Sequence, residues 1–206
     1  MPRRAVPLMA GEHYHIFNRG HNRQAIFFER ENYVFFLRRL RQYLAAAQTS
    51  EVSETSEVWA APATIVAYCL MPNHFHLLIQ PHTDDLSNRM RRLCISYAKA
   101  VNKRYSRVGA LFQGQFRAVR VDKDEYLLHL SRYIHLNPVM AGLAKGPEDW
   151  EFSSYRDYVN LRPGTLPNPN IVLAQFAAPQ AYREFVADYI PDSRKAIAHL
   201  LLGDND

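Results

Sequence analysis

The sequence predicts an α+β protein. Three patterns carry that expectation: strand-like runs at residues 14–18, 64–80 and 116–121, helical spacing over 29–48, and a second helical run over about 84–105. Residues 14–18 read as a short strand that leaves through the polar turn Arg19-Gly20-His21-Asn22-Arg23. Tyr33, Phe36, Leu37, Leu40, Tyr43 and Leu44 recur every three or four residues, the apolar stripe of an amphipathic helix. Residues 64–71 and 74–80 read as two strands joined tightly around Pro72-Asn73, a hairpin. Asp84 and Asp85 put acidic groups at the start of the next helix, where its dipole favours them. Residues 116–121 give a last strand. Asp122 or Asp124 is then expected to cap a helix that stops at Asn137, because Pro138 disfavours helical geometry in the residue before it. This order is a ferredoxin-like β-α-β-β-α-β unit with an added helix. In such a unit the first and third strands are central neighbours, which brings His13 and His15 toward the strand that holds His74 and His76.

A chain of 206 residues suits one domain plus an appendage and can bury a substantial core. Residues 1–158 are expected to form the main domain. It is interrupted at 49–63 by a surface loop insertion in which Thr-Ser-Glu-Val occurs twice, at 49–52 and 55–58. Residues 159–206 form a C-terminal extension with a helix around 180–189 and a shorter one after Pro191. Hydrophobic residues make up 48% and charged residues 22%, as in soluble globular proteins. No apolar stretch approaches the roughly 18–20 residues of a membrane span, and residues 1–10 lack the apolar core of a secretory signal. Cys69 and Cys94 are too few for a disulfide framework or a cysteine zinc site. A reducing cytoplasm is the expected location.

Charge is distributed unevenly. Between residues 86 and 121 no acidic residue interrupts the bases, among them Arg89, Arg91, Arg92, Lys99, Lys103, Arg104, Arg117 and Arg120, and Arg19 belongs to a second basic group nearer the start. The last third is acidic. This asymmetry suits a polyanion on the first two thirds of the chain, although a solvated basic face is the plainer explanation. Tyr97, Tyr105, Phe112 and Phe116 lie between the cations. They could stack on unpaired bases or simply fill the core. Gln113 and Gln115 flank Gly114 in a loop that enters the last strand near enough to touch a substrate.

Two motifs carry chemistry. His74 and His76 are two apart in a strand and project to one face, while Tyr133 and Asn137 are four apart in a helix and do the same. Neutral imidazoles ligate divalent metals, and the Asn137 amide oxygen could complete a site that leaves positions open for water or phosphate oxygens. Imidazole with oxygen donors points to Mg²⁺ or Mn²⁺, with zinc an alternative. A phenol with a pKa of about 10 is a weak nucleophile unless a bound metal polarises the phosphorus it attacks. Each of these residues also has a plain reading. The histidines can be satisfied strand residues, Tyr133 can fill a helix face, and Asn137 can end the helix. Tyr126, seven residues before Tyr133, is the competing nucleophile. His135 points to another surface and is a poor candidate for the base.

Taken together, Tyr14-His15-Ile16-Phe17-Asn18-Arg19-Gly20, Met71-Pro72-Asn73-His74-Phe75-His76, Gln113-Gly114-Gln115-Phe116-Arg117, Arg132-Tyr133-Ile134-His135-Leu136-Asn137-Pro138 and Asp149-Trp150-Glu151-Phe152-Ser153-Ser154-Tyr155 resemble the single-tyrosine HUH transposases, and most closely the REP-associated tyrosine transposases. The resemblance runs through much of residues 1–158. It implies that His74, His76 and Asn137 are the metal ligands and Tyr133 the nucleophile. It implies a metal-dependent endonuclease and strand-transferase for single-stranded DNA carrying hairpin repeats, acting through a covalent 5′-phosphotyrosine as a monomer or homodimer. Neither the loop at 49–58 nor the tail after 160 belongs to the pattern. The rival readings are a relaxase or replication-initiation nuclease with the same chemistry, a hairpin-binding regulator that does not cut, and a structural metal protein.

Overall fold

The tight turn at Pro72-Asn73 sets the register of the sheet. In the computed structural model, which describes residues 8–45, 48–49, 58–59, 61–188 and 198, strand β1 spans His13–Arg19, and short strands β2 (Gln48–Thr49) and β3 (Val58–Trp59) pair with each other. Strands β4 (Ala63–Met71), β5 (His74–Pro81) and β6 (Arg117–Val121) complete the set. Met71 pairs with His74 across the turn. The main sheet is antiparallel with order β4-β5-β1-β6, so the first and third of its strands are central, as the ferredoxin-like reading requires.

Side chains alternate across this sheet. On one face Tyr14, Ile16, Leu70, Phe75, Leu77 and Ile79 form a core with helices α1 (Arg30–Leu40) and α2 (Leu86–Arg104). On the other, Ala67, Cys69, Met71, Leu78 and Val121 pack against α3 (Asp124–Met140). The short helices α4 (Tyr155–Tyr158) and α5 (Asn170–Leu173) and helix α6 (Pro179–Ala187) cover the same face. His15, His74 and His76 therefore face α3, not the large apolar core. Val172, Tyr182 and Val186 are wholly or almost wholly buried against α3, so residues 159–188 share this second core with the sheet.

Several expected boundaries moved. The helix expected over 29–48 is α1 followed by a π-helical turn at Arg41–Ala45. The 49–63 insertion is bounded by the β2–β3 pairing, and Ala63 already belongs to β4. Apart from its first and last residues, Thr49 and Val58, the repeat lies outside the described residues, as does the helix after Pro191 apart from residue 198. Helix α3 does not stop at Asn137, and its N-cap is Lys123, not Asp122 or Asp124; Asp124 and Glu125 occupy the first turn. Proline constrains its predecessor without forbidding the helix, at the loss of one backbone bond. The helix ends instead at Gly142, whose φ of 69° is the left-handed geometry that favours glycine. There the Leu143 N–H donates to Pro138 O at 2.9 Å and the Gly142 N–H to Val139 O at 2.9 Å, the paired bonds of a Schellman stop.

Gly20 holds the hairpin turn. Its N–H donates to Asn73 O at 2.8 Å, and the Ile26 and Phe27 N–H groups donate to Pro72 O at 2.8 and 3.0 Å. A Cβ at Gly20 would sit 2.0 Å from Gln24 O, so no side chain fits there. The loop after β1 thus clamps the turn from which His74 emerges.

Candidate active site

Antiparallel pairing sets Phe17 opposite His76 and Arg19 opposite His74, while α3 crosses the same sheet face. His74 Nε2 lies 3.2 Å from Asn137 Oδ1, and the His76 ring meets the Tyr133 ring edge-on with centroids 5.4 Å apart. The two imidazoles are 4.9 Å apart. The four residues singled out in the sequence therefore come together. Tyr126 is half-buried seven residues earlier, nearer the start of α3, with its hydroxyl 3.4 Å from Lys123 Nζ.

Burial keeps the histidines neutral. It lowers the His74 pKa to about 4, with the Asn137 contact opposing and the Arg19 guanidinium adding to the shift. His76 is held well below its ordinary value by burial and by its histidine neighbours. Neutral imidazole is the form that ligates metals. His74 Nδ1 lies 2.6 Å from Asn73 Oδ1; if it donates there, Nε2 presents a lone pair toward Asn137 Oδ1, and two acceptors face each other. His76 Nε2 is buried and has no hydrogen-bond partner. A cation would satisfy all three atoms, so the residues fit a divalent metal. Among the described residues no cluster of three or more His, Cys, Asp or Glu offers another. Two imidazoles and an amide oxygen leave an open coordination sphere, which suits chemistry more than structural binding.

Of the remaining histidines, His15 approaches the pair, its Nε2 2.9 Å from His76 Nδ1, whereas His13 lies at the far end of β1 opposite Val121. His135 points away from Tyr133. Its Nδ1 is 2.7 Å from the Tyr182 hydroxyl and its Nε2 2.8 Å from Ser154 Oγ, and burial lowers its pKa to about 3. The roles of His15 and Asn73 were not assigned from sequence. The element order brought His15 toward the His74–His76 strand, as observed, but the strand pairing and turn geometry that set the individual contacts are not visible in spacing along the chain.

The cations divide between two surfaces. Arg19 and Arg117 lie on the histidine face by strand alternation, and Arg19 Nε and Nη2 donate to Gln113 Oε1 at 3.2 and 3.1 Å. With Phe17, Asn18, Gly114 and Gln115 they line a cavity of about 250 Å³, so the Gln113–Gln115 loop does border the site. Arg120 lies on the opposite alternation and pairs with Glu12. Arg89, Arg91, Arg92, Lys99, Lys103 and Arg104 belong to α2, which covers the other face of the sheet. Arg89 is paired with Asp85 and Arg104 with Glu29. The aromatics between them are core: Tyr97 is fully buried with its hydroxyl on Ile26 O, and Phe112 and Phe116 are buried beside it. Tyr105, half-buried, bonds Glu29.

Residues 10–137, from just before β1 through Asn137 on α3, match the family model described as transposase IS200 like. The chain belongs to the IS200-like transposase family. It is 31% identical over 109 residues to a Haemophilus influenzae protein provisionally named a REP-associated tyrosine transposase; the match takes in 46% of this chain and 60% of that protein's length. A solved structure of a REP-associated tyrosine transposase bound to a REP hairpin resembles this transposase fold with a TM-score of 0.59, covering 82% of this chain and 94% of that one at 20% identity. At that identity the likeness is one of fold. No helix among the described residues is long and apolar enough to cross a membrane.

Proposed function

We propose that this IS200-like transposase is a metal-dependent endonuclease and strand-transferase for single-stranded DNA bearing hairpin repeats. The observation that carries the reading is the convergence of Tyr133 on His76 beside the 3.2 Å approach of His74 to Asn137. His74 and His76, through Nε2, and Asn137, through Oδ1, would hold Mg²⁺ or Mn²⁺. When bound, the ion supplies Lewis-acid stabilisation of the charge that develops on the phosphoryl oxygens. Tyr133 supplies the nucleophile. Its phenolic oxygen bonds to phosphorus as the bond from phosphorus to the 3′ oxygen breaks, giving a 5′-phosphotyrosine and a strand that ends in a 3′-hydroxyl. The phenol loses one proton and the released oxygen gains one. Attack by another strand's 3′-hydroxyl reverses these changes, restores the phosphodiester and frees the phenol, so joining needs no nucleotide triphosphate.

Arg19 and Arg117, with the Gln113 and Gln115 amides, would hold the strand beside the scissile phosphate through charge and hydrogen bonds. The α2 cations face elsewhere and would contribute a salt-sensitive, sequence-independent attraction. The hairpin as partner is supported by the fold likeness to the hairpin-bound transposase, and the cytoplasm is its place of action. The test is cleavage of an end-labelled single-stranded oligonucleotide carrying the repeat hairpin that flanks the gene, with Mn²⁺, Mg²⁺ or EDTA. Metal-dependent cutting beside the hairpin, leaving a 3′-hydroxyl, is expected. Tight hairpin binding without cleavage under any metal would favour a non-cutting regulator.

A further inference from the structure

We infer that His15 is a positioning residue that fixes the tautomer of His76 and keeps the His76 Nε2 lone pair open toward a metal ion. The inference rests on the reading above that His76 holds such an ion. Both rings are fully buried, their planes are 22° apart, and His15 Nε2 lies 2.9 Å from His76 Nδ1. Phe17 packs against both rings, at 4.8 Å from His15 and 6.2 Å from His76, and walls the pair on one side.

One hydrogen sits between these two nitrogens, and it has two possible owners. If His15 owned it, neutral His76 would carry its own hydrogen on Nε2, a buried N–H with no acceptor. Orphaned buried donors of that kind are rare. If His76 Nδ1 owns it and donates to His15 Nε2, His76 Nε2 is a bare lone pair. The second arrangement leaves no orphaned donor and is the one a metal ligand requires.

His74 is served in parallel by a different group, since Asn73 Oδ1 lies 2.6 Å from its Nδ1. Each histidine of the pair thus has its remote nitrogen occupied by a neighbour from the adjacent strand or turn. His15 also occupies a fully buried position near the middle of β1, where an aliphatic residue would be the ordinary choice. Burying an imidazole there is unfavourable unless its nitrogens are used.

The experiment uses the full chain with three substitutions. His15→Leu keeps apolar bulk and removes the acceptor, His15→Gln offers an amide oxygen near the Nε2 position, and His76→Ala removes the ligand. Imidazole ¹⁵N NMR of the metal-free protein reads the His76 tautomer, and electron paramagnetic resonance of free Mn²⁺ reads the Kd. Wild type and His15→Gln are expected to hold His76 with its hydrogen on Nδ1 and to bind Mn²⁺ alike. His15→Leu is expected to move the hydrogen to Nε2 and weaken Mn²⁺ binding about 10- to 100-fold. Wild-type His76 with its hydrogen on Nε2, or unchanged Mn²⁺ affinity in His15→Leu, overturns the inference; the first measurement needs no variant to fold. Equal Mn²⁺ uptake by wild type and His76→Ala would instead overturn the metal reading, while the NMR result still decides the tautomer.

Discussion

Single buried side chains in this transposase are set by what their polar atoms touch, and His135 shows the consequence for stability. It is wholly enclosed, both nitrogens are bonded, and burial takes its pKa from an ordinary 6.5 to about 3. Between those values the unfolded chain binds more protons than the folded one, so stability rises with pH. The His135 contribution is fully present above 6.5 and is lost as pH falls toward 3. Each unit in that window is worth about 1.4 kcal/mol. Denaturant unfolding at pH 7.5 and 5.0 should therefore show about 2 kcal/mol of His135-dependent loss, absent from the pH difference of His135→Gln. An identical pH difference in the two proteins would mean that His135 does not remain neutral in the folded state.

The elements were legible to different degrees. The strand carrying His74 and His76 and the helix carrying Tyr133 and Asn137 follow from periods of two and about 3.6 residues, so each pair could be placed on one face before the two faces were known to meet. What stayed hidden depends on tertiary contact. The element order already brought His15 toward the histidine strand, but not the nitrogen-to-nitrogen contact with His76 that the β1–β5 pairing gives it, and the end of α3 at Gly142 comes from a backbone conformation that Pro138 obscured. The basic run at residues 86–121 was misleading in another way. Its helical part covers the sheet face opposite the histidines, and only its strand end, at Arg117, joins their side. Gly20 was visible only as a turn residue, yet it fixes the hairpin. Gly20→Ala would drive a methyl into Gln24 O, and the backbone must move to relieve it. A loss of about 2–4 kcal/mol is expected in denaturant unfolding. Unchanged stability would mean that the 20–27 loop does not clamp the turn.

For the molecule as a whole, a ferredoxin-like sheet separates a large apolar core from a second layer in which α3 carries Tyr133 over the histidine strand. The tail at 159–188 completes that layer: Tyr182 bonds His135 and Ser131 on α3, and Arg132 bonds Phe185 O at 3.1 Å. The extension was read as an appendage because the chain there is irregular and interrupted by proline, and the target of its apolar residues on α3 is not encoded locally. Tyr133, held against His76, is the residue proposed to form a covalent bond to DNA. The most direct measurement of that bond is mass spectrometry of the protein after incubation with Mn²⁺ and a hairpin-bearing single strand, with Tyr133→Phe alongside. A nucleotide adduct on the peptide containing Tyr133, abolished by the substitution and by EDTA, is expected. An adduct on Tyr126, or cleavage that survives in Tyr133→Phe, would contradict that role of Tyr133.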